Sequence, residues 1–477
     1  MGLSIPNMIP TIKRAVLNFR KRLPSRTSLF FIIISIALGC LYFRYTRAIP
    51  PQFRGVYWGD SMDYMGCSRG GLWRAFQHSS LRLFGYPFFI AIFREMYPGE
   101  YEFLNPMLSA QLVCHFLSVL ILVWALTRTG VRASRTSFLL LIIHPGLIAM
   151  STITMTDSLT TSIFNCVLAV ILFLTYQPTR LLFKSFSLGL LLGLVISLRP
   201  SFIPIAALTP LLVGLSVLLR QHSSSGNWRK SLQVSILCVM LCVLGIAPTY
   251  VHLRMNCYRA HHEQCIIPSS ATVGISETFN YAIEYSRYDI IFRPDGAPEA
   301  APTRDRVFPF GSCTISKTNP AASLFACYIQ NAASLPLYFS HRVVGLFDNR
   351  QINIYGGGRT PEWIFWTNRI YSVVGFLGFF GSFALILRGL LDRQLKSYLL
   401  VPVLYILIQL NFHVESRYTF PVTPIFFVTG ITFLMEPPFR GTWCKAVTWL
   451  TALVLAAGFF HITNSWDITY FELHHFK

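Results

Sequence analysis

Two aspartates, Asp60 and Asp63, stand three positions apart in the stretch Gly55 to Gly71, GVYWGDSMDYMGCSRGG. A carboxylate beside an apolar phase is a candidate proton acceptor, because burial and neighbouring charge change its hold on a proton. If the stretch is helical, the spacing puts both acids on one face. The same residues also suit a solvated Asx turn at Asp60 followed by a helix cap at Asp63. Tyr57, Trp58 and Tyr64 in this stretch can stack on a sugar ring or anchor the chain at a membrane interface. Further along, Asp157 closes Thr154-Met155-Thr156-Asp157, Arg199 precedes Pro200, and His413, Glu415, Arg417 and Tyr418 sit together in FHVESRYTFPVTP. An acid that takes a proton and an arginine that holds an anion are the parts a group transfer needs. Each residue also has a structural reading: Asp157 as the N-cap of a helix, Arg199 as a snorkelling anchor, Arg417 as the partner of Glu415.

The elements that must position them are apolar. Hydrophobic residues make up 53% of the 477, and only 13% are charged. A soluble domain carries roughly twice that charge, so the chain reads as an all-α polytopic membrane protein. Its Lys+Arg number 40 against 20 Asp+Glu, a net charge of +20. That charge is spread over short loops between apolar runs rather than gathered on one face. It therefore argues against nucleic acid and for anionic headgroups or an anionic lipid substrate. Runs long enough to span fall near 28–45, 104–127, 136–154, 158–176, 184–198, 201–219, 231–251, 366–387, 397–412, 418–435 and 443–461, which is about 11 spans. Tyr86 to Phe93 is too short to cross and is expected in the interface or within a longer helix. The first run leads directly into Arg44 and Arg47, so it is expected to be retained as a span.

Starting the amino terminus inside sorts the charges. Arg128, Arg132, Arg135, Arg180, Lys184, Arg220, Arg229, Lys230, Arg388, Arg393, Lys396, Arg440 and Lys445 all fall in inner loops, as the positive-inside rule requires. Of the acids only Asp392 and Glu436 fall inside. The expected organisation is a basic cytoplasmic segment 1–27, a membrane module 28–251 with an outer loop 44–103, an outer cap loop 252–365, a second membrane module 366–461 and an outer tail 462–477. The cap holds Cys257, Cys265, Cys313 and Cys327. Local bridges 257–265 and 313–327 suit an oxidising compartment, and free thiols remain the alternative. No Walker A, HExxH or dinucleotide fingerprint is present. No ligand cluster demands a metal, so no cofactor is expected, although a divalent ion is compatible with the residues.

At this point the sequence resembles the GT-C superfamily of integral-membrane glycosyltransferases, in particular the protein O-mannosyltransferase and lipid A aminoarabinose transferase group. Asp60-Ser61-x-x-Tyr64 after the first span resembles the group's first-loop acid, and Gly85-Tyr86-Pro87 its G-Y-P. Asp157 matches the acid of its second outer loop, and Arg417-Tyr418 with Pro421 and Pro424 matches its late R-Y-x-x-P-x-x-P. Two features depart from the pattern: about 11 spans where the best-known relatives have more, and D-x-x-D where they have adjacent acids. The resemblance implies transfer of a sugar from a polyprenyl-phosphate or dolichyl-phosphate donor to an acceptor hydroxyl at the extracytoplasmic face. Asp60, or else Asp63, would be the general base, with Asp157 supporting it. Arg417 with Arg199 would hold the lipid phosphate, and Tyr57, Trp58, Tyr64, Tyr86, His413, Glu415 and Tyr418 would line the substrates. The acceptor is a glycan, lipid or protein. A transporter or flippase of a lipid-linked saccharide is the alternative; it would gather its polar groups at mid-membrane on discontinuous helices. The chain ends without a retention signal, so a bacterial plasma membrane is expected, and the endoplasmic reticulum also fits.

Overall fold

The computed structural model describes residues 60–77, 83–129, 135–177, 179–261, 287–292, 298–303, 313, 315–316, 319–348, 362–391, 395–411, 416–435 and 442–475. The expected first span and the basic segment before it lie outside the described residues, as do Tyr57, Trp58, His413, Glu415 and Cys265.

Three short helices, α1 (Asp60–Ser68), α2 (Gly71–Phe76) and α3 (Gly85–Met96), lead into the long α4 (Leu104–Arg128). α5 (Arg135–Ile142) and α6 (Pro145–Ser151) follow as two half-length pieces. Then come α7 (Thr156–Tyr176), α8 (Leu181–Leu198), α9 (Ile203–Ser225) and α10 (Trp228–His261). A two-stranded antiparallel ribbon, β1 (Arg287–Phe292) with β2 (Pro298–Thr303), pairs Arg287 with Thr303 and Phe292 with Pro298. The chain continues through α11 (Pro320–Gln330), α12 (Leu335–Phe347), α13 (Glu362–Leu391), α14 (Ser397–Gln409), α15 (Thr423–Met435) and α16 (Thr442–His475).

Among the described residues, seven helical segments are long and apolar enough to cross a membrane: Leu104–Arg128, Thr156–Tyr176, Leu181–Leu198, Pro200–Ser224, Trp228–Asn256, Trp366–Leu391 and Lys445–Thr463. Leu140–Ser151, Ser397–Gln409 and Thr423–Met435 are apolar but shorter. Helices dominate because hydrocarbon offers no partner for backbone amides, so each segment must satisfy its own.

Two stretches carry more structure than their sequence suggests. The run 136–154 is not one helix. Pro145 brings no N–H and pushes the residue before it out of helical geometry, and His144 is accordingly extended at φ −60°, ψ 109°. The second long loop is also more than a surface cap. It contributes α12, whose residues from His341 to Phe347 are all buried. Phe347 packs in the main core against the rings of Phe376, Phe379 and Phe426. Its apolar run is too short to register as a span, so it read as loop. Within that loop Cys313 and Cys327 form a disulfide, one of the two bridges expected; the other falls partly outside the described residues.

Glycine sets the closest helix pairs. A Cβ on Gly378 of α13 would overlap the Phe426 carbonyl of α15, and one on Gly189 of α8 would overlap the Cys242 carbonyl of α10. Such contacts draw helices together where apolar surroundings provide no hydrophobic drive. The opposite end from the site described next is basic. There Lys184 Nζ donates to the Gln177 carbonyl at 2.7 Å and Arg220 donates to the Thr175 carbonyl.

Candidate active site at one end of the bundle

Arg199 and Asp157 form a buried ion pair, Nη1 to Oδ1 at 2.5 Å. Asp157 is 1% exposed and Arg199 9%. Local sequence explains both positions. Pro200 bars Arg199 from continuing α8. Arg199 is therefore extended, at φ −145°, ψ 108°, before a single 3₁₀ turn at Pro200–Phe202. Its side chain reaches α7 instead of lying along its own helix. Asp157 sits in the first turn of α7, where the helix dipole favours an acid. It is not the cap: Met155 holds that position with no side-chain bond. Nor is Arg199 a snorkelling anchor, since its charge is buried against a carboxylate.

Aromatic rings wall the pair. The Arg199 guanidinium lies 4.4 Å from the centre of the Tyr418 ring, a cation–π contact. Tyr405 donates from its hydroxyl to the Tyr418 carbonyl at 2.8 Å and stacks on Phe202 with ring centres 4.4 Å apart. Tyr86 is fully buried and meets Tyr64 edge-on at 5.0 Å. Burial pushes the Tyr86 phenol well above its usual range, and Tyr64 and the Asp157 charge push it further; the Met155 N–H opposes them. Tyr86 therefore keeps its proton.

The Gly85-Tyr86-Pro87 step is a packing device. A Cβ on Gly85 would overlap Ser197 at the end of α8, 2.8 Å from the Ser197 carbonyl oxygen. Only glycine lets α3 come close enough to set Tyr86 beside Asp157. α1 docks above through Ser61, whose hydroxyl donates to the Thr154 carbonyl at 2.7 Å. Its buried face is Ser61, Tyr64, Met65 and Ser68, at i, i+3, i+4 and i+7.

Of the residues singled out in sequence, Tyr64, Tyr86, Asp157, Arg199 and Tyr418 are thus brought together. Asp60 is the first residue of α1, next to Ser61, and its side chain is outside what is described. Asp63 is exposed and lies on the other side of α1 from Ser61 and Met65. Arg417 falls in the 3₁₀ turn Ser416–Thr419, one residue before Tyr418, its side chain likewise outside the description. That turn is tied to α12 through Thr419 and to α14 through the Tyr418 carbonyl, and the residues just after α14 are tied to α12 and α11. Arg342 Nε donates to the Leu410 carbonyl at 2.7 Å, and Tyr328 Oη donates to Asn411 Oδ1 at 3.2 Å. Thr419 Oγ1 donates to the Leu346 carbonyl at 2.9 Å.

Sequence reasoning missed Gln111, Tyr405 and Arg342. Gln111 and Tyr405 are neutral and sit inside apolar runs. Their only signal was a hydrogen-bonding group in a stretch that has no other use for one. Among the described residues, no group of three or more His, Cys, Asp or Glu is placed to hold a metal ion.

The apolar helices define an integral membrane protein with a polar, aromatic-lined site at one end. Comparison with known protein families and with characterised proteins finds no match.

Proposed function

We propose that the chain is a membrane glycosyltransferase of GT-C type that moves a sugar from a polyprenyl-phosphate or dolichyl-phosphate donor to an acceptor hydroxyl. The site then faces the extracytoplasmic side, in a protein with about 11 spans. The observation that carries this reading is the buried Asp157–Arg199 pair under Tyr86 and Tyr418, with the start of α1 docked beside it. A lipid phosphate gains charge as the sugar leaves, and a fixed guanidinium at headgroup depth stabilises that charge. In this reading Asp60 takes the acceptor proton, the Asp157–Arg199 pair holds the site's electrostatics, and Arg417 binds the phosphate. Asp63 is the weaker candidate for base because it faces away from the docked side of α1. The tyrosine faces suit a sugar ring.

The reading is tested by sugar transfer from a polyprenyl-phosphate sugar in proteoliposomes. Asp60→Asn is expected to lower turnover on the order of 10²-fold or more, and Asp63→Asn much less. Arg417→Ala is expected to weaken donor binding by about 1.5–3 kcal/mol, and Arg417→Lys to restore only part of it. Full turnover in Asp60→Asn would remove the base assignment. Unchanged donor affinity in a stable Arg417→Ala would end the phosphate role.

One observation favours the transporter reading: the half-helices α5 and α6 break at His144, as discontinuous helices of transporters do. Movement of a lipid-linked saccharide across vesicles by wild type, without transfer, would favour it over the enzyme.

A further inference from the structure

Gln111 is fully buried two turns into α4, and its amide is used on both sides. Oε1 accepts from the Tyr86 hydroxyl at 2.6 Å. Nε2 donates to the carbonyls of Ile153 at 3.0 Å and Ser151 at 3.3 Å. The Ser151 carbonyl ends α6, and the Ile153 carbonyl lies in the connector between α6 and α7, the segment that runs straight into Asp157. The same connector is gripped from above by Ser61 at Thr154, and it is tightened by the Met155 N–H, which donates to the Ile153 carbonyl at 2.8 Å.

A phenol has one proton to donate. Given to Gln111, it is not available to Asp157. We propose that Gln111 is a positioning residue: by taking the Tyr86 proton and holding the connector, it keeps Asp157 paired with Arg199 alone. The inference deepens the transferase reading and rests on it for its activity measurement. The amide is suited to this because one rigid plane supplies an acceptor to Tyr86 and donors to the connector. A carboxylate would accept but not donate, and a thioether would do neither at useful strength. Without the amide, the Tyr86 proton is released to turn toward the Asp157 carboxylate, whose charge acts on that phenol, and the Ser151 and Ile153 carbonyls lose their ties to α4.

The test uses the full-length protein with Gln111→Met, Gln111→Glu, Tyr86→Phe and the double Gln111→Met/Tyr86→Phe. Gln111→Met is expected to lower kcat on the order of tenfold to 10²-fold, as small misplacement of a reacting group does, with KM for the donor little changed. Gln111→Glu is expected to work at acid pH, where the protonated carboxyl imitates the amide, and to lose activity as pH rises. Wild type should lack that limb. The double variant should be no worse than Gln111→Met in kcat or Tm, because once the phenol proton is gone there is nothing left to misplace. Wild-type kcat in Gln111→Met, a flat pH profile in Gln111→Glu, or additive losses in the double variant would overturn the proposal. If wild type transfers no sugar, the transferase reading falls by itself. The melting temperatures then still decide the role of Gln111: additive destabilisation refutes it, and a non-additive loss upholds it.

Discussion

At the scale of single residues the Asp157–Arg199 pair is first a matter of stability. Two ions taken out of water cost several kcal/mol each, and their attraction must offset that cost. Removing one partner leaves the other charged and buried. Asp157→Leu and Arg199→Met should therefore each lower stability by about 3–5 kcal/mol. The double replacement leaves no orphaned charge and should recover most of the loss. Denaturant unfolding of the three variants in detergent checks this; a double variant as unstable as the sum of the singles would show that the pair is not the unit. The residues of this site were legible in sequence where they carried charge at the end of an apolar run, as Asp157 and Arg199 do. Tyr86 and Tyr418 stood out through the prolines and glycine beside them. Gln111 and Tyr405 did not stand out, because a run is recognised by its average and a single neutral polar group barely changes an average.

At the scale of elements the glycines fix how closely helices approach. Gly378 and Gly430 face each other across α13 and α15, each against the other helix's backbone. A backbone atom cannot rotate out of the way as a side chain can. Gly378→Ala is expected to destabilise by about 1–3 kcal/mol through overpacking. Gly458 in α16 meets nothing within 4 Å. There the same change should be neutral or stabilise by roughly 0.5–1 kcal/mol, since glycine in a helix interior carries an entropic cost. Thermal melts of the pair in one detergent separate the cases, and equal shifts would refute the close-packing account. Helices were the most legible feature of the chain because membrane-length apolar runs have few other structural solutions. The failures were of a different kind. The break at Pro145 was written in the sequence, but hydropathy counts side chains and not the amide that proline lacks. α12 was hidden because its 13 residues are short and lie between polar stretches. Nothing local announces that a helix will be drawn into a core built by segments on both sides of it.

At the scale of the whole molecule the two ends differ chemically. One gathers Asp157, Arg199 and a ring of tyrosines; the other ties Lys184 and Arg220 to helix-end carbonyls. Cationic ends stay on the cytoplasmic side, so the site end should face out. A cysteine placed at Asn280 should react with an impermeant thiol reagent in intact cells, and one at Ser224 only after permeabilisation. The reverse pattern would move the site to the inner face and exclude an outward-facing transfer. The break at His144 also bears on how the protein is made. His144 is boxed by the rings of Tyr371 and Phe427, at 4.6 and 5.6 Å. Both rings belong to helices translated more than 200 residues later. At about 5–20 residues per second, that delay is roughly tens of seconds. During this time the nascent chain has a helix interrupted in an apolar phase with its covering helices not yet made. Assembly of the first module is thus tied to the arrival of the last, and a ribosome stalled between α10 and α13 would leave a half-built membrane protein whose weakest joint is exposed to quality control.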